Sequence, residues 1–400
     1  MPQISHRGLE MPSSPIRNLA PLANEAKLQG VKVYHLNIGQ PDLPTPQKGL
    51  DALKSIDRKT LEYSPSEGFI GLREKLVGYY AKFGINDITH ENIIITSGGS
   101  EAILFAFLAC MNPGDEMIMV EPGYANYISF AVTAGIKVKT VTSYIEDGFK
   151  LPPVEDFEEA ITPHTRAILL CNPNNPTGYV YSPDELQKIK ELVVKYDLYL
   201  IAEEVYRAFV YTDEPYVSAM SLGLPQNVIL VDSVSKRYSE CGIRIGMLVT
   251  RNRMVHDTVM KYCQARLSPP LLGQIVADAS IEGVEDYARE CFDEYKARRD
   301  FFIKGLNSIP GVYSPMPHGA FYTVASLPVA DAEDFCRWCL TDFRMDGETI
   351  MMAPAAGFYR NPDLGRNQVR LAYVLCREDL QRALMLLRAA LRAYNNRTVF

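Results

Sequence analysis

The stretch DSVSKRYSECGIRIG, residues 232–246, places a lysine among small hydroxyl residues. Ser233 and Ser235 precede Lys236, and Arg244 follows between two glycines. A lysine amine can condense with an aldehyde to form a Schiff base. An arginine can bind a phosphate in bidentate fashion, and neighbouring hydroxyl groups add hydrogen bonds. An isolated lysine or arginine is usually a solvated surface side chain, but this setting indicates an amine nucleophile beside an anion site.

A second candidate anion site is the stretch TSGGSEAI, where Gly98, Gly99 and Ser100 separate an apolar strand from an apolar helix. Backbone N–H groups at a helix N-terminus are unpaired and the helix dipole is positive there, so an anion is favoured. The glycine spacing matches neither the dinucleotide fingerprint nor the P-loop. Taken alone, the turn could equally be a plain strand-to-helix connection capped by Ser100.

Further polar side chains could hold an aromatic ring. Glu203 and Glu204 end the run LYLIAEEVYRAF, and a carboxylate beside a ring nitrogen would keep that nitrogen protonated. Tyr206 and Asn175 could hydrogen-bond a phenolic oxygen, and Tyr124 could stack on the ring face. Core packing is the alternative for both tyrosines, because the chain contains 23 of them.

The elements that would position these residues are apolar runs, each ending in a polar turn. Continuous apolar runs that alternate with helices predict an α/β fold, with a mostly parallel sheet covered by helices on both faces. Ligands of such sheets bind at the carboxyl ends of the strands. We therefore expect one site to be built from five turns, at Gly98–Ser100, Gly123–Tyr124, Asn172–Gly178, Glu203–Tyr206 and Ser233–Lys236.

The chain is long enough for more than one domain, and its character changes near residue 285. We expect a large domain over residues 41–284 and a smaller α+β domain over residues 285–400. The N-terminal segment, residues 1–40, is expected to pack with the small domain. In the small domain, GVYSPMPHGAFYTVASL predicts two strands around a turn, and the leucine stripe of REDLQRALMLLRAALRAY predicts a C-terminal helix.

Composition excludes several classes of partner. The formal net charge is −7 and no long basic run occurs, so nucleic acid is not an expected partner. No stretch approaches 18 uninterrupted apolar residues and the N-terminus has no signal-peptide core, so we expect a cytoplasmic protein that does not span a membrane. The pair Cys336 and Cys339 lacks a second pair, which favours core packing over a metal site.

Together these stretches resemble the class I/II aminotransferases, which are fold type I pyridoxal-phosphate enzymes. The resemblance covers nearly the whole chain. Its most specific part is the combination, in order, of NPNNPTG, S-x-S-K and G-x-R-x-G; further matches are NIGQPD, YSPSEG, EPGYANY, HGAFY and VRLAYV. It implies a transaminase that acts on small-molecule amino acids and 2-oxo acids, with pyridoxal 5'-phosphate as cofactor.

The resemblance also implies residue roles. Lys236 would form the Schiff base with the cofactor and move the substrate proton. The ring would be held by Tyr124, Asn175, Glu203 and Tyr206, and the phosphate by Gly98, Gly99, Ser100, Ser233, Ser235 and Arg244. The substrate α-carboxylate would be bound by Arg370, with Asn175 and the backbone of Gly39 nearby. Tyr63 would reach the phosphate of the neighbouring subunit, which implies a homodimer with shared sites.

Glu203 affects the expected ring geometry, and Arg266 the expected substrate. The family usually carries aspartate where this chain has Glu203, so the ring geometry, rather than the reaction class, is affected. A dicarboxylic substrate needs a second cation, for which Arg266 is the candidate; a solvated or salt-bridged arginine is an equal alternative. Aspartate and glutamate are thus the expected substrates, with alanine, aromatic and methionine-type substrates as alternatives.

Other functions that this fold can have differ in the residues or segments that they require. A lyase would keep the same lysine and arginine, so only its products would reveal it. An effector domain of a regulator would need a basic recognition helix before the fold, and a structural protein would not need Lys236 or Arg370. The sequence favours the enzyme.

Overall fold

The computed structural model describes residues 2–397. Its strands are β1 (Lys32–His35), β2 (Ile93–Thr96), β3 (Glu116–Glu121), β4 (Lys137–Thr142), β5 (Thr165–Cys171), β6 (Tyr199–Glu203), β7 (Val228–Ser233), β8 (Gly246–Thr250), β9 (Tyr322–Ser326), β10 (Glu348–Met351), β11 (Ala353–Pro354) and β12 (Gln368–Ala372). Its α-helices are α1 (His6–Glu10), α2 (Ala20–Leu28), α3 (Gln47–Lys54), α4 (Ile70–Ala81), α5 (Gly99–Cys110), α6 (Asn126–Ala134), α7 (Val154–Ala160), α8 (Pro183–Tyr196), α9 (Val234–Arg237), α10 (Arg253–Arg266), α11 (Leu271–Ser280), α12 (Glu285–Asn307), α13 (Ala332–Thr341) and α14 (Arg377–Asn395).

A seven-stranded sheet in the order β2-β8-β7-β6-β5-β3-β4 is the centre of the larger part of the molecule. The pairings from β7 to β4 are parallel, whereas β8 runs antiparallel to both of its neighbours. Both faces are buried: Leu200 and Ala202 of β6 join one apolar cluster, and Ile201 between them joins another. The predicted α/β fold with a sheet covered on both faces is confirmed.

The carboxyl ends of the parallel strands meet at one edge of this sheet. Cys171 at the end of β5 is paired with Glu203 at the end of β6, and β7 ends two residues past Val231, the partner of Glu203. Parallel pairing keeps strand ends in register, so the turns that follow them lie side by side.

The C-terminal part contains a three-stranded antiparallel sheet in the order β11-β12-β9. The N-terminal segment contributes β1, which pairs in parallel with β10, and α2, which contacts α13. The strand predicted before HGAFY does not form, and Tyr313 makes only an isolated bridge to Ser326. Pro315 and Pro317 lack the N–H groups that a ladder requires, which explains the difference.

Two helices of the C-terminal part have the faces that their sequences predict. On α14, Leu380, Leu387 and Leu391 are buried. On α13, Cys336 and Cys339 are buried among apolar side chains, as the packing interpretation expects. None of the helices in the described part of the chain is both long and apolar enough to cross a membrane.

Candidate active site

A cavity of about 600 Å³ lies at the carboxyl edge of the central sheet, where the C-terminal part approaches it. Most of the site residues predicted from the sequence line this cavity: Gly39, Gly99, Ser100, Tyr124, Asn175, Glu203, Tyr206, Ser233, Ser235, Lys236, Arg244 and Arg370. Residues more than 300 positions apart in the chain, such as Gly39 and Arg370, thus share one site.

One end of the cavity is suited to an anion. Helix α5 begins at Gly99, and no side chain caps its first N–H groups. Gly98 has a φ of 81°, and a Cβ there would overlap the Arg244 guanidinium group. Only glycine therefore lets the arginine come this close to the helix N-terminus. Unpaired N–H groups and a guanidinium group together favour a phosphate.

The turn after β7 adds hydroxyl groups to the same end. The Ser233 hydroxyl lies 2.7 Å from the Ser235 hydroxyl and 3.0 Å from the Ile245 carbonyl oxygen. The Ser235 backbone N–H donates to the Ser233 hydroxyl, so the turn is tightly folded. Next in the chain, Lys236 donates from its Nζ to the Gly39 carbonyl oxygen at 2.9 Å.

Glu203 places a carboxylate in the middle of the cavity wall. Its side chain receives a hydrogen bond from the Tyr127 hydroxyl. Burial raises the pKa of Glu203 to about 7, although the Tyr127 hydrogen bond and the Lys236 charge oppose the rise. Glu204 points to the other side of the sheet, where it accepts from Ser218 and Ala219, as strand alternation predicts.

Arg370 is a buried cation without an anionic partner. Arg370 is 1% exposed, and its guanidinium group makes no ion pair within residues 2–397. One Nη donates to the Asn175 side-chain oxygen at 3.2 Å and the other to the Asn37 carbonyl oxygen, while Nε has no partner. A buried guanidinium group is costly unless it is paired, so this arrangement calls for an anionic ligand.

Aromatic hydroxyl groups also line the cavity. The Tyr206 hydroxyl donates to the Tyr322 hydroxyl at 3.0 Å, and Tyr322 donates to the Gly39 carbonyl oxygen at 3.3 Å. Tyr124 lines the cavity as well, and its hydroxyl accepts a hydrogen bond from the Asn126 side chain. Tyr322 is the last residue of HGAFY, which matches the family, but the sequence assigned no role to its side chain.

Three predicted residues lie outside the cavity. Gly98 lies beside the cavity, where its lack of a side chain leaves room for Arg244. Tyr63 is 77% exposed and does not reach the cavity of its own chain. Arg266 lies 3.7 Å from Glu101 and donates to the Ser66 and Ile95 carbonyl oxygens. Within one chain, the geometry therefore favours the salt-bridged alternative for Arg266.

Other cavity residues were not found from the sequence. They come mainly from the N-terminal segment and from loops, and include Ser14, Ile16, Arg17, Ile38, Asn126, Val205 and Cys241. Ile38, Asn126 and Cys241 lie inside stretches that the sequence singles out, but no motif includes Ser14, Ile16 or Arg17. In the described residues, no group of three or more His, Cys, Asp or Glu side chains is close enough to hold a metal ion.

The sequence model of the family "Aminotransferase class I and II" matches residues 31–385. The chain belongs to this family. Against the aspartate aminotransferase of Pyrococcus horikoshii, this aminotransferase is 30% identical over 97% of both chains. The predicted family and enzyme class are confirmed.

Solved structures give the same result. The aspartate aminotransferase of Thermus thermophilus with maleate superposes with a TM-score of 0.88 at 28% identity, over 98% of this aminotransferase and 100% of that chain. The alanine aminotransferase of Pyrococcus furiosus superposes with a TM-score of 0.90 at 29% identity, over the same shares. The substrates named for these relatives differ, so the likeness does not select one for this chain.

Proposed function

We propose that this aminotransferase uses pyridoxal 5'-phosphate to move an amino group between an L-amino acid and a 2-oxo acid, with aspartate and glutamate as preferred donors. The observation that carries the proposal is the convergence in one cavity of an amine, a phosphate-binding end and an unpaired buried guanidinium group. Lys236, Arg244 and Arg370 supply these three features.

The residues present fit the cofactor by their chemistry. The uncapped start of α5, the Ser233 and Ser235 hydroxyl groups and Arg244 suit a phosphate. Glu203 is buried and its pKa is raised to about 7, so a cationic ring nitrogen beside it would keep its carboxylate ionised. Asn175 and Tyr206 would bond the phenolic oxygen, and Tyr124 would cover the ring face.

When bound, pyridoxal phosphate supplies an aldehyde that takes up the amino group and a ring that withdraws electrons from the substrate Cα. Arg370 binds the α-carboxylate in bidentate fashion and so directs the Cα–H bond towards Lys236. The Lys236 amine would accept the Cα proton and, as the ammonium, would return it to the cofactor carbon C4'. The ionised Glu203 carboxylate would pair with the ring nitrogen and favour its protonated form.

We further propose a homodimer in which Tyr63 contacts the phosphate of the partner subunit. Tyr63 is exposed, and so are the large apolar side chains of Leu61, Ile70, Leu267 and Leu272. The Ser66 hydroxyl donates to the Leu267 carbonyl oxygen, and the Ser64 hydroxyl to that of Pro269, so residues 61–66 and 267–270 form one surface. An exposed apolar surface of this kind is typical of a subunit interface.

A single-turnover experiment tests the proposal. The protein is saturated with pyridoxal phosphate and mixed with aspartate, glutamate or alanine in the absence of any 2-oxo acid. We expect the visible absorbance of the cofactor to decay and one equivalent of the matching 2-oxo acid to appear; Lys236→Ala should do neither. If the absorbance returns while ammonia accumulates, the enzyme is a lyase and the proposal is wrong.

A further inference from the structure

The cavity contains more positive charge than the cofactor and an α-carboxylate would use. Its cationic lining residues are Arg17, Lys236, Arg244 and Arg370, and Glu203 is the one carboxylate among the lining residues of the described chain. Under the proposed function, Lys236 meets the aldehyde, Arg244 the phosphate and Arg370 the α-carboxylate. Arg17 is left without an anion.

The position of Arg17 is fixed by contacts that lead directly to Arg370. Residues 14–18 form a turn in which the Arg17 backbone N–H donates to the Ser14 carbonyl oxygen at 3.0 Å. The Asn37 side chain donates to the Ile16 carbonyl oxygen at 3.0 Å, while the Asn37 carbonyl oxygen accepts from Arg370. One asparagine thus links the turn to the proposed α-carboxylate site.

Packing holds the same turn against the C-terminal part. A Cβ on Gly357 would overlap Pro15, so the proline lies directly on that backbone. Ile16 packs on the apolar cluster that contains Phe358, and the Phe358 ring lies 5.1 Å from the Arg370 guanidinium group. The backbone of Arg17 is therefore placed by tertiary contacts and is not part of a free tail.

The Arg17 side chain, in contrast, is uncommitted. Within residues 2–397 it makes no ion pair and donates no hydrogen bond, and the residue is exposed. Burial raises the pKa of Tyr124 to about 12, and the charges of Arg370 and Arg17 oppose that rise, so the Arg17 guanidinium group acts on the wall of the cavity. A free guanidinium group beside a substrate cavity is suited to a carboxylate.

We infer that Arg17 determines specificity by binding the second carboxylate of a dicarboxylic amino acid or 2-oxo acid. The inference rests on the proposed function. It replaces Arg266, whose guanidinium group pairs with Glu101 outside the cavity. Because the Arg17 side chain is exposed, it can turn to solvent when the substrate side chain is apolar, so the cavity also accepts a monocarboxylic partner.

The test compares two substrates in the same single-turnover assay, with the holoenzyme. The quantity measured is the ratio of kcat/KM for glutamate to kcat/KM for alanine. In Arg17→Gln we expect this ratio to fall about 10- to 100-fold, since one charged hydrogen-bonded pair is lost. Arg17→Lys, which keeps the charge but not the fork, should recover part of the ratio.

Two further variants serve as controls. Arg7→Gln makes the same charge change in the N-terminal segment, but Arg7 does not line the cavity, so the ratio should stay at the native value. Arg266→Gln tests the rival residue. The inference is overturned if the ratio falls in Arg266→Gln but not in Arg17→Gln, or if the native enzyme reacts with alanine and with neither glutamate nor aspartate.

Failure of the inference differs from failure of the proposed function. If no amino acid changes the visible absorbance of the native holoenzyme, the proposed function is wrong. If alanine and glutamate both react and the ratio is the same in Arg17→Gln as in the native enzyme, the function stands and the role of Arg17 is wrong.

Discussion

At the scale of single residues, Glu203 is the site position that departs from the family pattern. Its longer side chain ends at the Tyr127 hydroxyl, which donates a hydrogen bond to it and is itself buried at the start of α6. Tyr127 gives the longer carboxylate a fixed partner at its far end. Because burial leaves the pKa of Glu203 at about 7, the group is half-protonated near neutrality until a cation approaches it.

The raised pKa predicts a pH-dependent stability of the cofactor-free protein. Between pH 4.5 and about 7 the native state binds the Glu203 proton and the unfolded state has lost it, so stability falls as pH rises through this window. The loss amounts to roughly 3 kcal/mol at most. We expect Glu203→Gln to lack this contribution, so its fall in Tm between pH 5 and pH 8 should be smaller than that of the native protein.

A second buried carboxylate and the cofactor provide two comparisons, and the cofactor distinguishes Glu203 from the other carboxylate. Glu240 also has a pKa raised to about 7 by burial, so Glu240→Gln should remove a similar loss without involving the cavity carboxylate. Pyridoxal phosphate should raise the Tm at pH 8 more in the native protein than in Glu203→Gln, since the amide cannot pair with a cationic ring nitrogen. Equal increases would contradict the assignment of Glu203 to the ring.

At the scale of elements, one buried carboxylate bonds both ends of the segment from Ser233 to Arg237, where β7 passes directly into α9. Asp232, at the end of β7, accepts from the Ser233 backbone N–H at 2.7 Å and from Arg237 at 2.8 Å. It also accepts from Arg207 and from the Tyr80 hydroxyl. Burial alone would raise the pKa of Asp232, but the two guanidinium groups hold it below its usual value. The carboxylate therefore braces the residues on either side of Lys236.

We predict that Asp232→Asn destabilises the protein and loosens the turn. The substitution removes the negative charge that faces two buried guanidinium groups. Removing one partner of a comparable buried pair lowers the free energy of unfolding by about 3–5 kcal/mol. The urea midpoint should fall, and the affinity for pyridoxal phosphate, measured by absorbance titration, should fall with it. Asp257→Asn breaks an exposed pair with Arg253 and provides the matched control. A stable Asp232→Asn protein with native cofactor affinity would refute the bracing role.

Elements also explain what the sequence could and could not reveal. Lys236, Ser233 and Glu203 were predictable because the ends of parallel strands meet at one edge, and periodicity locates the strands. The capping box at the start of α8 is also a local pattern, because Ser182 and Glu185 are three residues apart and each accepts a hydrogen bond from the other's backbone N–H group.

Residues placed by long-range packing were not predictable in the same way. Arg17 enters the cavity only because Asn37 and Gly357 hold its turn, and no local pattern records those contacts. The sequence could not choose between the two alternatives for Arg266 for the same reason, since its partner Glu101 lies far away in the sequence. The local sequence shows that a charged residue lies near the end of a strand or helix, but the direction of its side chain depends on the tertiary structure.

At the scale of the whole molecule, the proposed dimer would explain why one surface exposes several large apolar side chains. Residues 61–66 and 267–270 are tied together by hydrogen bonds but leave Leu61, Tyr63 and Leu267 exposed. Burying such side chains against a second copy is favourable at roughly 25 cal/mol per Å² of apolar surface. The same contact would bring Tyr63 to the cofactor phosphate of the partner subunit, so association and activity should be lost together.

The proposed interface is tested by a charge placed in it and by an equal charge placed elsewhere. Leu61 is 63% exposed and Val194, on α8, is 61% exposed. Leu61→Glu buries a carboxylate if the dimer forms, so we expect monomers in sedimentation and a weakened affinity for pyridoxal phosphate. Val194→Glu should remain dimeric with native affinity, because its side chain stays in water. If both variants sediment as the native protein does, residues 61–66 are not the interface, and Tyr63 cannot act on a partner's site.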